Sequence, residues 1–228
     1  MSEKVGFFSD FAFGFVATRG SGMQSPKNTD AELIGKVFCE ISGEKISKLL
    51  EYAGLLREWN TKINLVSRKD VGNIVRRHVI PSLAMAVVWN FPAGGTVLDI
   101  GTGGGLPGIP MAIVHGTTNF TLLDSIGKKV TAVRDMISRL ELENTIAENA
   151  RAEDFCGKFD TIVARAVTNV ETFVGYGRKL LKTNGRILYL KGGDCSDDLR
   201  LFQGSKIHSI AAITGMEELS DKVILEIF

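Results

Sequence analysis

The feature that most restricts this chain is a ten-residue run from Asp99 to Gly108, DIGTGGGLPG, which holds five glycines. It directly follows the apolar segment Thr96–Ile100, read as a strand, and leads into Pro107–Val114, read as a helix. Glycines at such a junction permit positive φ in a tight strand-to-helix turn and let a ligand approach the backbone. Pro107 and Pro110 suit a first helical turn, where a missing N–H costs little. The helix start is then expected to offer free N–H groups to a carboxylate or phosphate. Two registers compete within the run. Gly103-x-Gly105-x-x-Gly108 satisfies the dinucleotide fingerprint, with a pyrophosphate at the helix start. Asp99-x-Gly101-x-Gly103-x-Gly105 puts an acid at the strand end before three alternating glycines. That acid either receives a ligand's ammonium group or organises the loop, which suits an amino-acid-bearing cofactor better than a pyrophosphate.

The texture beyond Pro92 fits a parallel sheet wrapped by helices, because short apolar runs alternate with longer amphipathic ones. Strands are expected at Thr96–Ile100, Phe120–Leu123, just before Arg151, Thr161–Ala164, Arg186–Leu190, Ile207–Ile213 and Val223–Phe228. Helices are expected at Pro107–Val114, Lys128–Leu140 and Val170–Leu181. The last two strands, with no helix between them, suggest a closing β-hairpin.

The first half reads differently. Residues 30–91 form a helical segment: Leu49, Leu50, Ala53, Leu56 and Trp59 recur at helical spacing, with Ser42 placed to cap the helix. A second helical stretch runs from about Val71 to Trp89, split or restarted at Pro81. Residues 1–29 are expected to be a loop or disordered leader. Its apolar stretch is interrupted by Asp10 and Gly14 and preceded by a single Lys4, which argues against a signal peptide. No apolar run approaches the roughly 20 residues that span a bilayer. The α/β and helical parts, 92–228 and 30–91, are expected to form one structural unit. Cys39, Cys156 and Cys195 are odd in number and scattered, which fits a reducing cytoplasm rather than a disulfide scaffold or zinc site.

Candidate site residues follow from the strand ends, where open α/β sheets bind ligands. Asp124, at the end of the second strand, is placed to accept hydrogen bonds from both hydroxyls of a ribose; its plainer role is to cap the following helix. Ala152 and Glu153, after the third strand, offer acceptors to an adenine amino group, or form a solvated charge cluster. Arg165 ends the next strand, where a guanidinium can grip a carboxylate or phosphate; its plainer role is an ion pair with an acid such as Glu153. Lys191 lies at a later strand end, placed to meet a substrate phosphate or position a base. No His/Cys/carboxylate cluster has metal-ligand spacing. The net charge is only +1, so any attraction of nucleic acid would rest on local cations: Lys62, Arg68, Lys69, Arg76, Arg77, Lys128, Lys129 and Arg134, each otherwise an ordinary solvated residue. His78 is a candidate for nucleic-acid contact or for a structural hydrogen bond.

Taken in order, LLREWNTKINLV at Leu55–Val66, Arg77-His78, the Gly101–Pro110 loop, TLLDSIGKK at Thr121–Lys129, Arg151–Glu153, Ala164–Ala166 and Leu190–Gly192 resemble the RsmG (GidB) family, guanine-N7 methyltransferases of bacterial 16S rRNA. The resemblance covers about residues 45 to 193. It implies a Rossmann-like class I methyltransferase fold with a seven-stranded, mostly parallel sheet and N-terminal helices beside the crevice. It implies S-adenosyl-L-methionine as cofactor, contacted at Gly101, Leu106, Ala152, Glu153 and Arg165, with Gly103, Gly105 and the ribose acid Asp124 beside them. The implied partner is 16S rRNA or the small ribosomal subunit, with no membrane association, a monomeric state and a cytoplasmic location. The chain departs from the family where Pro81 replaces an acid after Arg-His, at Gly104, where another small residue is often found and the change is expected to be harmless, and at its end, Leu225–Phe228, which lacks a basic finish. An NAD(P)-dependent oxidoreductase and a non-catalytic nucleotide-binding, ribosome-associated protein are the alternatives on the same fold.

Overall fold

The computed structural model describes residues 26–167, 169–193 and 196–228. Helices α1 (Pro26–Val37) and α2 (Gly43–Asn60) come first. A 3-10 turn at Val71–Asn73 and a π-helical turn at Val75–Val79 then run into α3 (Ile80–Val88). The α/β part follows as β1 (Thr96–Ile100), α4 (Gly108–Val114), β2 (Asn119–Asp124), α5 (Gly127–Arg139), β3 (Thr145–Asn149), β4 (Phe159–Arg165), α6 (Val170–Leu180) and β5 (Leu181–Gly192). The chain closes with α7 (Ser196–Leu201), β6 (Lys206–Ser209), α8 (Ile210–Thr214), a 3-10 turn at Glu217–Leu219 and β7 (Lys222–Ile227).

The seven strands form one sheet in the order β3-β2-β1-β4-β5-β7-β6. The first five are parallel, while β7 pairs antiparallel with both β5 and β6. Side chains alternate across the sheet with period two, as strand geometry requires. Val97 faces one apolar cluster and its neighbours Leu98 and Ile100 face the other. The first cluster joins β1, β2 and β4 to α2, α3, α4 and α5, so helices from both halves of the chain share one core. The strand order reverses between β1 and β4, which opens a crevice at their C-terminal ends.

Caps define several helix starts. Ser42 accepts a hydrogen bond from the Lys45 N–H, Asn169 from Thr172 and Ser209 from Ala212. The Ser209 cap, with Gly215 in the left-handed conformation at the other end, corrects the strand expected over Ile207–Ile213. Only Lys206–Ser209 is strand, and a short helix follows. The closing pair β6 and β7 is antiparallel, as the expected hairpin requires, with α8 and a 3-10 turn in the connection between them. The expected leader also ends early, since α1 starts at Pro26. Residues 1–25 of that leader, and Cys195, lie outside the described residues.

Pro81 does not break its helix. It occupies the first turn of α3, and the turn before it widens so that the Ile80 N–H donates to the Val75 carbonyl. Proline removes an N–H and crowds the carbonyl four residues back, and a wider π turn relieves that conflict. Among the described residues, no helix is long and apolar enough to cross a membrane.

Candidate cofactor and substrate site

The glycine turn is tied down almost entirely from within. Gly101, Gly103 and Gly105 have φ of 69°, 59° and 88°, so the left-handed backbone is used at the three alternating positions that follow Asp99. The N–H groups of Gly101 and Thr102 donate to the Leu123 carbonyl, and those of Gly105 and Leu106 to the Thr102 carbonyl. Asp99 is fully buried. Its Oδ2 accepts from the Thr102 hydroxyl at 2.7 Å and from the Gly108 N–H at 2.9 Å. Burial pushes the Asp99 carboxyl up to about 7, against the pull of those hydrogen bonds and of Arg165.

Asp99 thus organises the loop, and it takes the first N–H of α4 that was expected to face a ligand. Gly108 itself is a packing position: a Cβ there would lie 2.1 Å from Leu122 Cδ2. Within the dinucleotide register the N–H groups of Gly103, Gly105, Leu106 and Gly108 are therefore already engaged, which leaves few for a pyrophosphate. What the turn presents is space and carbonyl oxygen.

The N-terminal helices close over this turn. The Tyr52 hydroxyl, buried on α2, donates to the Gly104 carbonyl at 2.8 Å. A Cβ at Gly104 would come within 2.7 Å of Leu56 Cδ1 and 3.2 Å of Leu65 Cβ, so a side chain there would make those leucines shift. Asn60 Oδ1 accepts from both the Leu65 and Val66 N–H groups, at 2.8 and 2.9 Å, and so shapes the loop after α2. Trp59 Nε1 donates to Asp135 Oδ2 at 2.7 Å and docks α2 on α5. Sequence reading named Trp59 and included Asn60 in the Leu55–Val66 motif but missed Tyr52. Its place three residues after Leu49 and four before Leu56 was the available signal.

A cavity of about 400 Å³ lies between these parts. Leu65, Val66 and Ser67 line one side; Gly101 to Gly104 and Leu106 line the turn side. Arg165, Ala166, Leu190 and Gly192 come from the strand ends, and Asp70, Arg77, His78, Lys129 and Lys222 complete the wall. Gly101, Gly103, Leu106 and Arg165 are thus brought together. Gly105, Asp124, Ala152, Glu153 and Lys191 do not line this cavity.

Asp124 lies beside it, only 6% exposed. Its Oδ2 accepts from the Gly103 N–H and its Oδ1 from the Ile126 N–H, with Lys129 Nζ 3.9 Å away. It joins the turn to the start of α5. Glu153 is exposed and sits 3.9 Å from Arg151. Lys191 is bonded to Asp198.

Arg165 has an unexpected partner. One guanidinium N–H donates to His78 Nδ1, while no carboxylate lies within ion-pair distance of the arginine among the described residues. The alternative pairing with an acid such as Glu153 does not occur among the described residues. Because Nδ1 accepts, the imidazole proton belongs on Nε2, which faces Asp70 Oδ2 at 3.6 Å. Burial holds His78 down to about 3, with Arg165, Lys222 and Arg77 adding to the effect. Burial also lowers Arg165, opposed by Tyr52, Asp99 and Asp70.

Of the expected surface cations, Arg77 and Lys129 reach the cavity wall. Lys62 pairs with Glu58, Arg76 with Glu218 and Arg134 with Glu148. Lys222, which sequence reading did not single out, joins the cavity from β7. Among the described residues no cluster of His, Cys, Asp or Glu is grouped for a metal ion.

Comparison with known proteins bears on this site. Residues 45–222 match the family model described as GidB, rRNA small subunit methyltransferase G. A ribosomal RNA small subunit methyltransferase G from Christiangramia forsetii is 44% identical over 186 residues, covering 79% of this chain and 88% of that protein. One from Flavobacterium psychrophilum is 42% identical over 202 residues, covering 86% and 97%. Among solved structures, a fibrillarin/Nop5p complex aligns with a TM-score of 0.51 at 15% identity, covering 67% of this chain and 84% of that one. The precorrin-6y C5,15-methyltransferase of Geobacter metallireducens aligns with a TM-score of 0.50 at 12% identity, covering 72% and 90%. These two likenesses concern the fold alone.

Proposed function

This chain belongs to the rRNA small subunit methyltransferase G (GidB) family, and on that premise we propose that it methylates N7 of a guanine in bacterial 16S rRNA, using S-adenosyl-L-methionine. The observation that carries the reading is the glycine turn, in which the N–H groups of Gly101, Thr102, Gly103, Gly105, Leu106 and Gly108 are all engaged within the protein. Such a turn is a poor seat for a pyrophosphate and a good one for a cationic, amino-acid-bearing nucleoside. The dinucleotide alternative finds no support there. The cavity volume also falls in the range of about 300–1,000 Å³ usual for small-molecule sites.

When bound, S-adenosylmethionine supplies an electrophilic methyl group on a sulfonium sulfur. Gly101, Gly103, Gly105 and Leu106 would lie along it, Asp124 would meet the ribose, Ala152 and Glu153 the adenine, and Arg165 the carboxylate. Guanine N7 already has an in-plane lone pair, so no residue has to remove a proton. Buried, uncharged His78 accords with this, because it is occupied by Arg165 rather than poised as a base. The residues' work is to orient the base and exclude water, an effect that reaches several kcal/mol when reacting atoms are well aligned. Arg77, Lys129, Lys191 and Lys222 are the candidates to receive RNA phosphates. The reading carries with it action as a monomer in the cytoplasm, the first of which light scattering after gel filtration would test.

Calorimetric titration tests the cofactor: S-adenosylhomocysteine should bind and NADH should not. Methyl transfer to small-subunit RNA, followed by chemical cleavage at N7-methylguanine, tests the product. Binding of NADH alone, or label on any other atom of the RNA, would overturn the proposal.

A further inference from the structure

A buried arginine normally meets a carboxylate, which satisfies its donors and cancels its charge. Arg165 meets an imidazole instead. The distinction matters because a neutral nitrogen acceptor can fix the direction of a guanidinium without neutralising it. The partner is itself buried. His78 is 8% exposed and stands on the π-helical turn before α3, where its own carbonyl accepts from the Ser82 hydroxyl at 2.7 Å. Asp70, 3.6 Å from the far side of the ring, favours the tautomer that leaves Nδ1 free to accept. Both side chains line the cavity that also receives the glycine turn.

We infer that His78 is a positioning residue: its Nδ1 holds the Arg165 guanidinium at the cavity wall with its charge intact and its remaining N–H donors available to the carboxylate of the cofactor. The inference rests on the cofactor reading above and adds a residue to it. It also gives a use to the wide turn that Pro81 creates, since the π-helical stretch Val75–Val79 carries His78. An aspartate at the same place would reach Arg165 but would compete with an incoming carboxylate.

Asparagine and leucine have nearly the same shape, but only asparagine carries an acceptor close to the Nδ1 position. The test compares S-adenosylhomocysteine affinity, by calorimetry, for the parent, His78→Asn, His78→Leu, Arg165→Ala and the double variant His78→Leu/Arg165→Ala, with thermal melting as the folding control. His78→Leu is expected to weaken binding about tenfold and His78→Asn to recover most of that loss. Arg165→Ala should weaken binding at least tenfold, and the double variant should be no weaker than Arg165→Ala alone. Should His78→Leu fail to fold, His78→Gln, whose amide reaches the Nε2 position, replaces it with the same expected loss. Equal losses in the asparagine and leucine variants, or losses that multiply in the double variant, would overturn the inference while leaving the cofactor assignment standing. A parent that does not bind S-adenosylhomocysteine overturns both.

Discussion

Asp99, His78 and His115 all carry protonation states in the folded chain that they would not have in the unfolded one, and their effects on stability have opposite signs. Burial raises Asp99 to about 7, so the folded state keeps a proton that an unfolded aspartate gives up near pH 4. Its contribution to stability therefore falls as pH rises through that interval. Burial holds His78 at about 3 and His115 at about 4, so the folded state lacks protons that unfolded histidines take up below about 6.5. Their contribution falls as pH drops. Between about pH 4.5 and 6, unfolding takes up two protons on the histidines and releases one from Asp99, a net uptake of about one. Urea denaturation should show stability rising with pH across this window, and Asp99→Asn should steepen the slope to about two protons. An unchanged slope in that variant would show that Asp99 is ionised in the fold. At this scale the alternating glycines were legible, because positive φ is a property that residue type announces. The partner of Arg165 was not, because His78 lies 87 positions away and only the folded sheet brings the two together.

At the scale of elements, the loop after α2 is held by one side chain. Asn60 serves two backbone N–H groups, and the segment it shapes supplies Leu65, Val66 and Ser67 to the cavity. Asn60→Ala leaves both donors without their partner, a loss of about 1–3 kcal/mol. It should lower the urea midpoint and weaken S-adenosylhomocysteine binding together. A variant with lowered stability and undiminished affinity would separate the loop from the ligand. Periodicity revealed most helices and strands here, since amphipathic and buried patterns differ in period. It failed over Ile207–Ile213, where a short apolar run suits a strand or a helix equally, and where the serine cap and the left-handed Gly215 decided the outcome. It could not anticipate the π turn either, because only the conflict between Pro81 and the preceding carbonyls creates it.

Across the whole molecule, a net charge of +1 hides an uneven distribution. Arg77, Lys129 and Lys222 converge on the cavity wall from the π turn, α5 and β7, whereas Asp70 is the acid among the wall residues. If each of the three cations receives one phosphate, the logarithm of RNA affinity should fall against the logarithm of salt concentration with a slope of about −2 to −3. Arg77→Ala should make that slope shallower by about one. A flat dependence would move RNA binding to another face. The shared core of N-terminal helices and sheet explains why local charge was only partly legible: Lys222 comes near Arg77 through the long return of the chain to β7, not through any neighbouring residues.

The fastening of the glycine turn by Tyr52, Asp99 and Asp124 has an energetic consequence for ligand capture. A loop rich in glycine loses more conformational freedom on becoming ordered than any other kind. Here that loss is met when the chain folds, since the helix above and the acids beneath immobilise the turn in advance. A nucleoside arriving at such a pre-formed seat has little further ordering of the backbone to impose, so more of each contact is retained as affinity.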